Sequence, residues 1–305
     1  MTGSVRTTSS NARRVAIVLG FELREALRSR LVALVLLLYG AGAAIGAWLF
    51  LQAMLGAEQV ARSALMQSLG VPESQVPEDL VRRQALPGLI SSVVDDPALR
   101  DQLLAMDPLA IFYGFMALNV VSGLVLVTSG SAHASDLTTG AARFVLTRCD
   151  RRSWALGKAL GHAALLAVGM LAGALATTAV AIWVRGTLEL TTLRDLLKTS
   201  LWAWAYGACF VGIFSGVSLL AGTPQRARML GVVALLALWL GHKLCALSTL
   251  PGGAGEWLVW LFPAQYESLL WSPEPQRFLL ALGALLGLGS MGLLLGAWVF
   301  QRRDA

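Results

Sequence analysis

The sequence predicts an all-α integral membrane protein: six transmembrane helices, an N-terminal interfacial elbow helix, and broken re-entrant helices before the last span. Three observations carry this. Of 305 residues, 56% are hydrophobic and only 14% charged, and the mean hydropathy is +0.66, whereas soluble domains hold about 25% charged residues. Six mostly apolar stretches, 31–54, 109–131, 159–184, 201–221, 229–250 and 278–300, reach the roughly 20 residues a spanning helix needs; barrel strands need only about 10. Charge is also unevenly distributed. With the N-terminus inside, the inner segments carry fifteen Lys and Arg against eight in the longer outer loops, while acidic residues run five against thirteen. Cytoplasmic loops are enriched in Lys and Arg, so both termini are expected in the cytoplasm of a multi-pass protein of the plasma (inner) membrane. The net charge of +6 is thereby absorbed by topology, and no nucleic-acid partner is expected.

Residues 1–30 read as a cytoplasmic tail followed by the elbow helix. Asn11 is the expected N-cap of a helix from Ala12 to about Arg30. Val15, Leu19, Leu23 and Leu27 recur every four residues, with Glu22, Arg24, Glu25 and Arg28 between them. This pattern suits a helix lying in the membrane interface and equally an amphipathic extension of span one. The first apolar run is too long and begins too late for a signal peptide. Residues 31–305 form the six-span membrane domain.

Within it, the outer loop 55–108 is too long for a simple turn. Helices are expected over 58–69 and, after an Asp96-Pro97 start, over 98–106. The outer segment 250–277 crowds Trp257, Trp260, Phe262, Tyr266 and Trp271 around Pro263. It reads as two short aromatic helices dipping into the membrane, or as an ordinary aromatic belt. His242 and Lys243 lie in span five. A charge there is a functional-site hypothesis, although Lys243 is close enough to the outer end to snorkel. These two, with Trp257, Trp260, Phe262 and Tyr266, are candidate pathway or outer-gate residues. Glycine pairs at small-xxx-small spacing, such as Gly42/Gly46, Gly212/Gly216 and Gly283/Gly287, point to close helix packing. The three cysteines have no zinc or disulfide spacing.

The inner loop 132–158 is the most informative segment. It mixes apolar residues 144–146 with Arg143, Arg148, Arg151, Arg152 and Lys158, and carries Asp136 and Gly140. A topology signal explains the charges but not Asp136, Gly140 or the apolar stretch. Asp136, Gly140, Val145-Leu146, Arg148, Arg151 and Gly157-Lys158 resemble the pattern of the type 2 permeases of ATP-binding cassette (ABC) exporters. So do the elbow segment holding Phe21, Glu22, Arg24 and Arg28, and the close of the chain, Trp298-Val-Phe-Gln-Arg302-Arg303-Asp304. The loop is loosely similar to that of permeases accessory to nitrous-oxide-reductase maturation, departing at Gly140-Ala141 and Cys149-Asp150.

The resemblance implies a permease that pairs with a second permease subunit, as homodimer or heterodimer, above docked ABC ATPase subunits. Asp136, Gly140, Arg143, Arg148, Arg151, Lys158, Glu22 and Arg24 would then couple the ATPase to the spans, making 132–158 a coupling loop. The chain has no G-x-x-x-x-G-K-[ST] phosphate loop. No catalysis, cofactor or metal is expected in it, with ATP and Mg belonging to the partner. Two other readings compete: a membrane scaffold recruiting a cytosolic protein, and an intramembrane enzyme built on Ser129, Ser131 and His133.

Overall fold

The structure, a computed structural model, describes residues 5–69, 97–187, 189–247, 254–272 and 274–302. Asp96, part of the outer loop and residues 250–253 of the aromatic segment lie outside these. The described residues form helices and no strands. Twelve α-helices follow in order: α1 Val5–Arg28, α2 Arg30–Leu69, α3 Pro97–Ala105, α4 Pro108–Ser129, α5 Ala132–Thr139, α6 Ala141–Leu146, α7 Arg151–Arg185, α8 Leu190–Ala221, α9 Pro224–Leu247, α10 Ala254–Leu258, α11 Glu267–Leu270 and α12 Pro275–Arg302. Six of them, α2, α4, α7, α8, α9 and α12, are long and apolar enough to cross a membrane, matching the six expected spans.

Span four, α8, occupies the centre. It packs against α4, α7, α9 and α12, and Phe210, Phe214, Leu219 and Cys209 on it are buried. Its approach to α12 is a backbone contact: a Cβ on Gly212 or Gly216 would run into the Gly289 or Gly292 carbonyl. Small residues allow this closeness where apolar solvent supplies little drive for helices to associate. The Gly212/Gly216 pairing expected from sequence is therefore a packing device. Gly42 and Gly283, by contrast, face open space. Span five is mostly exposed, with Ala227 and Gly231 its buried residues.

Two expectations about element limits are corrected. Helix α1 begins at Val5, upstream of the expected cap Asn11, since nothing in 6–10 breaks a helix. Span one does not stop before a separate helix at 58–69, because α2 runs unbroken for 40 residues. That is roughly 60 Å at helical rise, about twice the hydrocarbon thickness. The expected short helix over 98–106 is present as α3, one residue earlier. Between α1 and α2 the chain breaks at Ser29, whose oxygens accept from Val32 N and Ala33 N. The two are separate helices, and α1 folds back along α7. The aromatic segment consists of α10, two 3₁₀ turns (Val259–Leu261 and Pro263–Tyr266) and α11, interrupted where Phe262 is extended ahead of Pro263.

Candidate functional site

One end of the bundle gathers α1, the end of α12 and the 132–158 loop. Here α1 lies in a groove of α7 made by glycine. A Cβ on Gly157 would meet Val18 Cβ at 2.7 Å and the Val15 carbonyl at 2.9 Å, and one on Gly161 would meet Glu22 Cβ at 2.8 Å. The Gly157-Lys158 pair thus has a direct physical reading: the glycine admits α1, and the lysine then holds it.

Lys158 Nζ donates to Glu22 Oε1 and to Asp136 Oδ2, each at 2.8 Å. Its side chain is only 5% exposed, against 12% for Glu22 and 25% for Asp136. One buried cation therefore joins three elements, α1, α5 and α7. Two carboxylates share one ammonium, so the cluster carries a surplus negative charge. Burial lifts the Glu22 carboxyl above its ordinary value of 4.5, and the charge and hydrogen bond of Lys158 offset this only in part. The sequence placed these residues in one site; the structure brings Asp136, Lys158 and Glu22 together as partners of one another, internal to the chain.

Beyond this knot the loop turns at Gly140, whose φ of +79° is a left-handed conformation that glycine adopts without strain. The turn presents α6 at the tip of the bundle. Arg143, Phe144 and Arg148 are exposed there, Phe144 to 80%, while Ala142 anchors the underside in the core. Asp150 caps α7 by accepting from Ser153 N at 3.0 Å; hydrogen bonding from the Ser153 side chain, seconded by this backbone N–H, holds its carboxyl below the usual range against burial. Arg151 turns away from the tip: its Nη1 donates to the carbonyls of Phe300 and Gln301 at 3.1 and 3.2 Å, closing the end of α12. Arg24 is exposed on α1.

At the far end, a second polar cluster escaped the sequence reading. Asp107 caps α4 by accepting from Leu109 N at 2.7 Å. It also accepts from Arg185 at 2.9 Å and Thr192 at 2.6 Å, while its own N–H donates to Asp195 at 3.1 Å. Burial pushes this carboxyl up, but the hydrogen bonds from Arg185 and Thr192 and the Arg185 charge win and hold it below its ordinary 3.8. An Asp-Pro helix start was the available signal, used for Asp96-Pro97 but not for Asp107-Pro108.

The outer-gate candidates are partly assembled. Phe262 packs edge-on against His242 with ring centroids 6.3 Å apart, over Gly241, where a Cβ would strike the ring at 2.6 Å. Trp260 and Tyr266 meet at 5.8 Å, and Tyr266 Oη donates to the Trp260 carbonyl at 2.6 Å. Trp257 is 79% exposed and Lys243 is exposed. The sequence reading missed Glu267: burial raises its carboxyl, and the charge of Lys243 partly compensates.

The serine and histidine side chains do not form a nucleophile–base pair. Ser129 Oγ donates to the Val125 carbonyl, Ser131 Oγ accepts from Arg228, and His133 Nε2 faces the Ala155 carbonyl. Among the described residues no three His, Cys, Asp or Glu side chains converge to hold a metal.

The profile described as ABC-2 family transporter protein matches residues 16–253 of the chain. No curated protein sequence matches it.

Proposed function

We propose, for a chain that belongs to the ABC-2 transporter family and so is a multi-pass permease subunit of an ABC transporter, that it forms the substrate pathway of an exporter. In this reading it acts as a dimer and is driven by a separate ATPase docked at the end bearing α1, α6 and the close of α12. The excess of Lys and Arg in the inner segments supports a cytoplasmic location for that end. The observation that carries the reading is the Lys158 knot beneath an exposed tip. Arg143, Phe144 and Arg148 offer an apolar anchor flanked by two cations, the composition of an interface hot spot. Immediately above, Lys158 binds the loop through Asp136 and the elbow through Glu22, so a displacement of either reaches α7 and the bundle as a rigid-body motion. Asp136 and Lys158 then act as transmission residues, not as contacts to the ATPase. The aromatic turns over His242 and Lys243 form the outer gate.

The test is co-purification of an ATPase with the full chain, followed by hydrolysis measurements with and without it in liposomes. The expected result is no hydrolysis by the chain alone and transport-linked hydrolysis by the assembly. An ATPase that binds but whose turnover ignores this chain makes it a scaffold. For sidedness, Glu189→Cys in a cysteine-free background is expected to react with an impermeant reagent from outside, and Arg226→Cys is not. Labelling of Arg226→Cys in sealed cells overturns the orientation.

A further inference from the structure

The outward face of the last helix holds a shallow groove of about 530 Å³, lined by Gly287, Ser290, Met291, Leu294, Leu295 and Trp298. The opposite face of α12, with Leu285, Leu293 and Phe300, is buried in the bundle. The groove therefore opens to whatever surrounds the protein. From Gly287 to Trp298 it runs about 16 Å along the helix at 1.5 Å per residue, which matches one leaflet, half of a hydrocarbon core about 30 Å thick. Gly287 is its deep end: a Cβ there would meet nothing within 4 Å, leaving room against the helix backbone.

The shallow end closes on a cation. The Arg302 guanidinium lies 3.7 Å from the centroid of the Trp298 ring, one helical turn beyond the last lining residue and on the same face. Stacking uses the flat surface of the guanidinium and leaves its edge donors for an oxyanion, the geometry that suits bidentate phosphate binding. Two more guanidinium groups stand at the same helix end. Arg152 Nη2 donates to Gln301 Oε1 at 3.3 Å, and Arg151 occupies the Phe300 and Gln301 carbonyls. By covering those carbonyls, Arg151 masks the partial negative charge that would otherwise repel an anion.

We infer that this groove is a binding site for one anionic glycerophospholipid, its acyl chain along Gly287–Trp298 and its phosphate on Arg302. An apolar slot one leaflet deep, ending in an aromatic residue and then a cation, has the same order of chemistry as such a lipid: chain, interface, phosphate. The exposed stripe itself continues past Gly287 through Gly283 and Leu280, so it is the Trp298–Arg302 end, where a cation meets the apolar face, that commits the occupant to an anionic lipid. The inference does not depend on which side of the membrane this end faces, nor on an ATPase.

Native mass spectrometry of the full chain, purified in detergent and offered equimolar phosphatidylglycerol and phosphatidylcholine, tests it. The wild type is expected to retain the anionic lipid about fivefold over the neutral one, the preference one basic residue near a membrane surface confers. Arg302→Gln is expected to bring the ratio close to one, and Arg302→Lys to keep it. Gly287→Leu, which fills the slot, is expected to lower retention of both lipids. Gly283→Leu, also in open space but outside the groove, is expected to change neither. A wild-type ratio near one, or a preference that Arg302→Gln leaves intact, overturns the proposal. So does a Gly287→Leu variant that alters oligomeric mass but not lipid retention, since the face is then an interface between protein chains.

Discussion

Two polar clusters stand at opposite ends of α7, one on Lys158 near its start and one on Arg185 at its end, about 40 Å apart at helical rise. Each joins three elements, and each sets carboxylates against a single cation. Their accounting differs. At the far end, Asp107 draws on Arg185, Thr192 and the Leu109 amide together, and its proton affinity falls below the ordinary. At the basic end, Lys158 must serve Glu22 and Asp136 alone, and Glu22 holds its proton more tightly than usual. A carboxylate with surplus donors is a fastening; one with too few is a joint whose state a small change can tip. The fastening binds the cap of α4 to α7 and α8, while the joint lies where motion from a partner would enter.

Removing the cation separates the two most sharply. Lys158→Ala leaves two carboxylates buried without a counter-charge, and breaking such a pair typically costs about 3–5 kcal/mol. Thermal unfolding in detergent is expected to show that loss, with α1 released from α7 as seen by protease access near Val18. Asp107→Asn keeps an acceptor and removes only the charge, so about 1.5–3 kcal/mol is expected, the worth of hydrogen bonds to an ionised group. Transport-linked hydrolysis should be lost in Lys158→Ala and kept in Asp107→Asn. Equal loss of coupling in both reduces the Lys158 knot to another fastening.

The tip gives the next effect down. Phe144 is 80% exposed, so Phe144→Ala is expected to change stability by less than about 0.5 kcal/mol. As a hot-spot anchor its truncation should cost about 2 kcal/mol in affinity for the ATPase, read as roughly a thirtyfold rise in Kd. An unchanged Kd moves the dock elsewhere.

The sequence revealed most of what hydropathy can encode. The six spans, the helical α3 and the aromatic break at Pro263 all follow from apolar run length and proline chemistry. It misjudged the continuation of α2 to Leu69, because helicity beyond the membrane rests on polar residues such as Glu58 and Arg62. Their i, i+4 spacing supports a helix without extending the apolar signal. It picked Asp136 as a coupling residue for its type and place, yet could not show that the carboxylate's partner is Lys158, 22 residues later on a returning helix. Gly161 was missed for the same reason, since its role exists only where α1 crosses α7; at Asp107 the Asp-Pro start marks the cap of α4, but not the ties to Arg185 and Thr192 on the returning helices. Residues whose function is to fill or tie a crossing leave no periodic trace.

The smallest effect is also the one that tests the comparison itself, through pH. Glu22 has a folded-state pKa raised above 4.5, so its contribution to stability is fully present below that value and is lost as pH climbs through the raised one. Asp107 is lowered below 3.8, so its contribution is present above that value and is lost as pH falls through the lowered one. The two ends therefore respond in opposite directions. Glu22→Gln mimics the protonated acid and keeps a hydrogen-bond acceptor for Lys158. Relative to it, the wild type should lose melting temperature as pH rises above 4.5. Relative to Asp107→Asn, the wild type should lose its advantage only as pH falls below 3.8. Melting curves of the three proteins over an acid-to-neutral series, in one detergent and at fixed ionic strength, would show the two differences diverging. If Glu22→Gln instead runs parallel to the wild type across the series, Lys158 satisfies both carboxylates equally. The basic end would then be a fastening like the other, and motion would have to enter the bundle along α6 alone.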